Sequence, residues 1–362
     1  MCARSSDLRT WQKDPDFLFF APPHYEKDDW RDPFVFWNED AGEYWMLLAA
    51  RKTTGPARQR GCVALAVSAD LETWQVREPF WAPDLYFTHE CPDLFRIGAW
   101  WYLVYSTFSE RTVTHYRMSR SVSGPWLAPP DDVFDGRAYY AAKTAGSDEG
   151  RRFSFGWLPT REGETDSGAW QWGGDLVVHE IAQQADGTLS VRAPQAVLDA
   201  FTQPVPLAPK PQMGAWNLEK DAVASSSTAR FSSLAFGVLP VTGLIETSIS
   251  FSTGTVSCGL LLRVGEDGDN YYQVRLEPNN GRIVFDRWPR PGDQPFMIER
   301  PLALSTACLV TLRVIVDGTC VVVYANDRVA LSCRMYDHHD GAWGVFVAEG
   351  EARFEAISMR TT

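Results

Sequence analysis

Thr88-His89-Glu90-Cys91-Pro92-Asp93-Leu94-Phe95 places one carboxylate, Glu90, directly ahead of an apolar run that reads as a buried strand. Earlier in the chain, Trp30-Arg31-Asp32-Pro33-Phe34-Val35-Phe36 does the same with Asp32. Each is followed by a second strand-like run, Glu43-Tyr44-Trp45-Met46-Leu47-Leu48-Ala49 after the first and Trp100-Trp101-Tyr102-Leu103-Val104-Tyr105-Ser106 after the second. A polar turn ending in Trp comes next. Ser5-Ser6-Asp7-Leu8-Arg9-Thr10-Trp11 recurs as Ser68-Ala69-Asp70-Leu71-Glu72-Thr73-Trp74, an offset of 63 (74 − 11), and a degenerate third copy is Ser119-Arg120-Ser121-Val122-Ser123-Gly124-Pro125-Trp126.

The unit is therefore strand, turn, strand, loop, strand, then a polar turn. Units of roughly 50–60 residues with short aromatic or β-branched strands are the mark of propeller blades. A looser third unit starts at Tyr139-Tyr140-Ala141-Ala142-Lys143, carries Arg152-Phe153-Ser154-Phe155-Gly156-Trp157 and closes over 174–181 and 188–191. Three units and a leading strand do not close a ring of about four to eight blades. The expectation is an incomplete propeller over 1–202, with apolar flanks that favour self-association through the open edge.

Thr202-Gln203-Pro204-Val205-Pro206-Leu207-Ala208-Pro209-Lys210-Pro211 excludes a helix and marks a Pro-rich linker over 203–213. Beyond it, short alternating runs over 244–251, 258–264, 271–277, 282–286, 308–316, 319–324, 329–334 and 343–347 are separated by Gly/Asn/Asp turns. They predict a β-sandwich over 214–362. The fold class is all-β, with room for about one helical turn over 194–201.

Of the 362 residues, 45% are hydrophobic and 13% aromatic, including 15 Trp, which fits a packed all-β core or sugar-stacking surfaces. A net charge of −12 disfavours nucleic acid and anionic membranes as partners. No run approaches the roughly 18 apolar residues of a membrane span, and the first residues show no apolar leader segment. Seven scattered Cys without a CxxC pair read as reduced thiols, and the expected location is cytoplasmic.

Glu90 at the inner mouth of a propeller strand would be partly desolvated, which suits a general acid; the alternative is a carboxylate tied to a backbone N–H. Asp32 lies between Arg31, which favours its ionised form, and Pro33, which favours a strand start; a surface ion pair is the alternative. Both carboxylates are read as holding equivalent places at the starts of successive blades. Asp93 fits an Asx turn or a sugar hydroxyl contact. His89 and His115 lack the spaced partners of a metal site, and His338-His339 reads as a solvated turn. The GxSxG, GxxxxGK[ST], HExxH and GxGxxG motifs are absent. Tyr139, Trp157, Trp170 and Trp172 are candidates for stacking on a sugar, against packing between blades. Trp172 stands out because Gly173-Gly174 lets backbone and ring approach a ligand.

Arg31-Asp32-Pro33 and Glu90-Cys91-Pro92-Asp93-Leu94-Phe95 resemble two of the three signature motifs of glycoside hydrolase family 32, the invertases, levanases and inulinases. The Ser-x-Asp-Leu-x-x-Trp turn, Trp172-x-Gly174-x-Leu176 and the trailing sandwich resemble it too. The resemblance implies a five-bladed propeller followed by a β-sandwich. It also implies retaining hydrolysis of fructosyl bonds in sucrose or fructans, with no metal or organic cofactor. Glu90 matches the acid/base, Asp32 the transition-state-stabilising Asp and Arg31 its neighbour. Arg31, Asp93, Tyr139 and Trp172 are the expected substrate contacts. The family's first motif, Trp-x-Asn-Asp-Pro-Asn-Gly, carries the nucleophile well before Arg-Asp-Pro, whereas 31 residues precede Asp32 here. Trp11-Gln12-Lys13-Asp14-Pro15-Asp16 has similar spacing but follows a blade-ending turn, so Asp14 is expected on an inter-blade connection. The implied arrangement lacks the first blade and most of the second, and activity is expected to be impaired. A second departure is His179-Glu180 where the family usually has Arg-Glu. Two rivals remain: an inverting arabinan- or xylan-type furanosidase, and a non-catalytic carbohydrate-binding protein on the same scaffold.

Overall fold

The computed structural model describes residues 1–290 and 297–362, with side chains described at all of these but 227–229 and 297. Its residues form two compact units, 1–132 with 141–143, and 133–140 with 144–362.

In the first unit, β1 (Cys2–Arg4) and β2 (Gln12–Asp14) form a short antiparallel pair. A four-stranded antiparallel sheet follows: β3 (Tyr25–Asn38), β4 (Glu43–Lys52), β5 (Gly61–Ser68) and β6 (Gln75–Val76). The next has three strands, β7 (Glu90–Ile97), β8 (Trp100–Thr107) and β9 (Val113–Ser119). The strand period of two decides what packs where. On β4, Met46, Leu48 and Ala50 join one apolar cluster with Tyr25, Cys62 and Ala64. Leu47 points the other way and meets Leu94, Leu103 and Tyr105. Fully burying each such Leu contributes about 1.5–3 kcal/mol.

The Ser-x-Asp-Leu repeat is one turn used twice. Asp7 Oδ1 accepts the N–H groups of Arg9 (2.8 Å) and Thr10 (2.7 Å), and Asp70 Oδ1 those of Glu72 (2.9 Å) and Thr73 (2.8 Å). Leu8 and Leu71 both turn left-handed, at φ 58° and 66°.

The sheet β10 (Tyr140–Gly146), β11 (Arg152–Arg161), β12 (Trp170–Gln183) and β13 (Leu189–Arg192) is again antiparallel along β11 to β13. Residues 141–143 of β10 group with the first unit. A single helical turn, Gln195–Leu198, lies within the expected stretch. Gln203–Pro204 and Lys210–Met213, inside the Pro-rich segment, pair with strands of the sandwich.

The predicted sandwich strands occur where the alternation places them, from Thr242–Phe251 through Val329–Arg334, and Met297–Pro301 is a strand between them that the alternation did not give. Ala222–Val238 is a further strand, and the expected run at 343–347 lies within the unexpectedly long Ala342–Thr361; these two pair along most of their length. On its other side Ala342–Thr361 pairs first with Ser257–Val264 and then with Thr242–Phe251, so it joins two sets of strands. The switch falls at Glu349 (φ 50°) and Gly350 (φ 154°), where a side chain at 350 would meet the Thr255 backbone at 2.5 Å. That close approach requires Gly.

Candidate functional site

The Arg-Asp-Pro and Glu-Cys-Pro motifs each create a bulge. Pairing on β3 jumps from Arg31↔Ala49 to Phe34↔Leu47, and on β7 from Glu90↔Ser106 to Asp93↔Val104. The second residue of each bulge is left-handed, Asp32 at φ 56° and Cys91 at φ 51°, and β10 repeats the feature at Ala141, φ 54°. Bulges of this kind re-aim side chains beside active sites.

The backbone corrects the expected equivalence of the two carboxylates. Asp32 matches Cys91, and Arg31 matches Glu90, each at an offset of 59 (91 − 32 and 90 − 31). Because side chains alternate, Glu90 and Arg31 project from one kind of position and Asp32 from the next.

Arg31 gathers the cluster. Its Nη2 donates to Glu90 Oε1 at 2.7 Å, its Nη1 pairs with Asp29, and its Nε lies 3.9 Å from Asp32 Oδ2. Burial works against the Arg31 charge, but the hydrogen bonds to Glu90 and Asp29 outweigh it and raise its affinity for the proton. Asp32 Oδ2 also accepts the Cys91 N–H at 3.0 Å, and the Cys91 Sγ lies 3.7 Å from the same oxygen. Burial, then the Asp32 charge, push the Cys91 thiol up to about 12, so it stays protonated near neutrality. Asp93 is fully buried on β7.

Two contributors were not singled out from the sequence. Asp29 bridges outward to Arg51, whose Nε sits 3.3 Å from Asp29 Oδ2 and 2.8 Å from Glu26 Oε2. Lys143 donates to the Pro92 carbonyl at 2.6 Å. Burial pulls the Lys143 ammonium down, partly offset by the charges of Asp93 and Asp32. A charged residue on a strand reads as a solvated face; only the neighbouring strands make these two partners.

His89 is fully buried within 4.9 Å of the Trp81 and Tyr105 rings, and burial pushes its imidazole down to about 3. His115 is buried between Asp132 (3.0 Å) and Thr107 (3.1 Å). Among the described residues no group of three or more His, Cys, Asp or Glu is arranged to hold a metal ion. Asp14 ends β2, accepts the N–H of Asp16 at 3.1 Å and lies 3.6 Å from Arg4.

In the second unit Tyr139 is 1% exposed, with its hydroxyl 2.7 Å from Ser154 Oγ and its ring over Gly156, where a methyl group would meet it at 2.4 Å. That is a packing position, not an open sugar platform. Trp172 is 67% exposed, with Tyr140 and Trp157 rings at 5.5 and 6.2 Å. Gly174 serves the sheet, since a side chain there would meet the Leu158 carbonyl at 2.0 Å. His179, at the His-Glu departure, is buried between Asp135 and Tyr324, each at 2.9 Å.

The model of the glycosyl hydrolases family 32 N-terminal domain matches residues 1–189, and that of the family 32 C-terminal domain matches residues 216–361. The chain belongs to glycosyl hydrolase family 32. As a family 32 chain it has curated relatives that include a raffinose invertase of Escherichia coli, 26% identical over 342 residues, covering 89% of this chain and 64% of that protein. A sucrose-6-phosphate hydrolase of Vibrio alginolyticus is 28% identical, over 46% of this chain and 36% of its own length. The chain thus spans less than two thirds of either. Among solved structures, sucrose-6-phosphate hydrolase of Lactobacillus gasseri matches with TM-score 0.72 at 16% identity, over 99% of this chain and 71% of that one. Fructan 1-exohydrolase IIa of Cichorium intybus matches with TM-score 0.74 at 14% identity, over 99% and 76%. These likenesses place the family 32 chain among propeller-plus-sandwich folds.

Proposed function

We propose that this protein is of the β-fructofuranosidase type, built for retaining hydrolysis of fructosyl bonds in sucrose or fructans. The observation that carries the reading is Arg31, whose guanidinium reaches Glu90 at 2.7 Å and Asp32 at 3.9 Å. One cation thereby gathers an acid/base candidate and a hydroxyl-binding carboxylate. The invertase and sucrose-6-phosphate hydrolase names of the relatives support the substrate class.

In this reading a carboxylate attacks the anomeric carbon while Glu90 gives its proton to the departing oxygen. Glu90 then takes a proton from water as that water displaces the carboxylate. Asp32 and Arg31 hold fructosyl hydroxyls, with contacts that strengthen as the ring becomes oxocarbenium-like. Trp172 is a candidate stacking surface in the second unit, whereas Asp93, expected as a sugar contact, is fully buried on β7 and presents no face to a sugar.

The 362 residues are proposed to turn over slowly by themselves. Asp29 and Asp32 are drawn into ion pairs with Arg31, and Asp93 is fully buried. Retaining hydrolysis needs a carboxylate that reaches the anomeric carbon. A carbohydrate-binding role without turnover is the second reading these contacts favour. The division into a propeller over 1–202, a linker over 203–213 and a sandwich over 214–362 is proposed alongside; the family models end at 189 and resume at 216. Exposed Trp37 on β3, and Trp172 and Leu176 on β12, support pairing of two copies, which light scattering against concentration would detect.

The test of function is fructose release from sucrose, inulin and levan by the purified chain and its Glu90→Gln and Asp14→Asn variants. Slow release that Glu90→Gln abolishes supports the proposal. Fast release dependent on Asp14 would refute the impairment, and release indifferent to Glu90 would refute the assignment.

A further inference from the structure

Lys143 belongs to none of the signature motifs, yet its ammonium reaches into the β7 bulge. Its Nζ lies 2.6 Å from the Pro92 carbonyl oxygen and 5.2 Å from the centre of the Phe34 ring. Between Glu90↔Ser106 and Asp93↔Val104 the ladder skips Cys91 and Pro92, so their backbone groups need partners elsewhere. The Cys91 N–H goes to Asp32 at 3.0 Å, and the Pro92 carbonyl goes to Lys143. Pro92 has no N–H to place. The backbone that carries Glu90 is thereby clamped by a carboxylate from β3 on one side and an ammonium from β10 on the other.

The clamp has a physical purpose. Cys91 is held at φ 51°, a conformation that side-chain-bearing residues leave unless their surroundings hold them there. Glu90 immediately precedes this residue, so relaxation of Cys91–Pro92 would swing its carboxyl away from Arg31. We propose that Lys143 is a positioning residue for Glu90, fixing the bulge that aims the acid/base carboxyl. The assignment rests on the reading of Glu90 as acid/base, and it adds a residue from a third strand to the two motifs.

The test compares Lys143→Met with Lys143→Arg in the full chain. Two substrates are used: sucrose, whose leaving group needs a proton, and an aryl β-fructofuranoside, whose phenolate leaves without one. On sucrose, Lys143→Met should lower kcat about 100-fold, the scale on which about 1 Å of misplacement acts. KM on sucrose, and kcat/KM on the aryl fructoside, which reports departure of the phenolate and not the later base-assisted attack of water, should stay within about threefold, and Lys143→Arg should recover at least about a tenth of the wild-type kcat on sucrose. Equal losses on both substrates, a rise in KM alone or no change would overturn the proposal. If Lys143→Met does not fold, Lys143→Gln carries the same comparison. If the wild type releases fructose from neither substrate, the functional reading fails, and the lysine is judged on hydrogen exchange at the Cys91 amide. Exchange about tenfold faster in Lys143→Met and restored in Lys143→Arg supports the clamp; unchanged exchange overturns it.

Discussion

Asp32 and Cys91 hold the same place in the first strands of successive sheets, and one binds the other. Asp32 Oδ2 accepts the Cys91 N–H at 3.0 Å, while both residues are left-handed, at φ 56° and 51°. The bulge frees the N–H from the ladder and also turns the acceptor toward it. Asp tolerates that backbone conformation better than Cys does. Cys91→Val should therefore destabilise the protein by about 1–3 kcal/mol, because a β-branched residue resists positive φ. Cys91→Gly should cost less than Cys91→Val. Urea unfolding of the two variants is the measurement; equal losses would mean that thiol packing, not backbone strain, dominates.

The same pair separates backbone from charge at Asp32. Asn also accepts the left-handed conformation and keeps an acceptor for the Cys91 N–H, whereas Ala keeps neither advantage. Asp32→Asn should hold stability within about 1 kcal/mol, and Asp32→Ala should lose about 1–2 kcal/mol more. Both should lose most fructose release, since both remove the charge beside Arg31. Thermal melts set beside initial rates would show the split.

How much of this was legible in the residues depends on what each signal encodes. Alternation of apolar and polar residues located most of the sandwich strands, and the Ser-x-Asp-Leu turn marked the blades because one Asp caps two N–H groups in each of its two full copies. The Ala222–Val238 strand was not legible, because Ala-Val-Ala-Ser-Ser-Ser-Thr-Ala has small residues where β-branched ones give the signal. At the site, matching carboxylate to carboxylate gave an offset of 58 (90 − 32), one residue from the backbone offset of 59. In a strand one residue is a change of face. Lys143 and Asp29 carry no local pattern at all, since their roles exist only once three strands converge.

Tyr139 and Trp172 provide a contrast between packing and binding. Tyr139→Phe removes a buried hydroxyl bonded to Ser154 at 2.7 Å and should cost about 1–2 kcal/mol of stability without changing KM. Trp172→Ala, at an exposed ring, should change stability by less than about 1 kcal/mol and raise KM for fructans if the ring stacks on sugar. Chemical denaturation and fructan titrations of the two variants would decide; a KM effect at Tyr139 would contradict its packing role.

His89 ties stability to pH. Burial pushes its imidazole down to about 3, and neither ring nitrogen has a hydrogen-bond partner among the described residues. In the unfolded chain the ring binds a proton near pH 6.5. Between those values the unfolded state holds more protons, so stability falls as pH drops from about 6.5 toward 3. By pH 5 the His89 contribution should be a loss of about 2 kcal/mol. His89→Phe should remove that part of the slope, and urea unfolding at pH 7 and pH 5 for both proteins would measure it. Parallel slopes in the two proteins would mean that other groups carry the acid sensitivity.

The charge chain behind Arg31 yields a final expectation. Arg51 is 3% exposed, pairs with Glu26 and Asp29, and donates to the carbonyls of Phe87 and Ala57 at 2.5 and 3.0 Å. Its guanidinium lies 3.5 Å above the Phe87 ring. Glu26 is held below its ordinary range chiefly by its hydrogen bond to Arg51. Without Arg51, Glu26 keeps Arg60 at 3.0 Å and Asp29 keeps Arg31, so the main cost falls on the Phe87 and Ala57 carbonyls that lose their donor, about 1–3 kcal/mol. Arg51→Met should therefore lose about that much, although Met fills similar volume. With Arg51 gone, Asp29 keeps Arg31 as its partner and competes more strongly with Glu90 for that guanidinium, so fructose release should fall further than stability alone explains. Adding Asp29→Asn to Arg51→Met should return about 1 kcal/mol, because it removes a carboxylate that has lost one of its two cations. A double-mutant cycle in urea measures this coupling, and an additive result would show that Asp29 and Arg51 act independently.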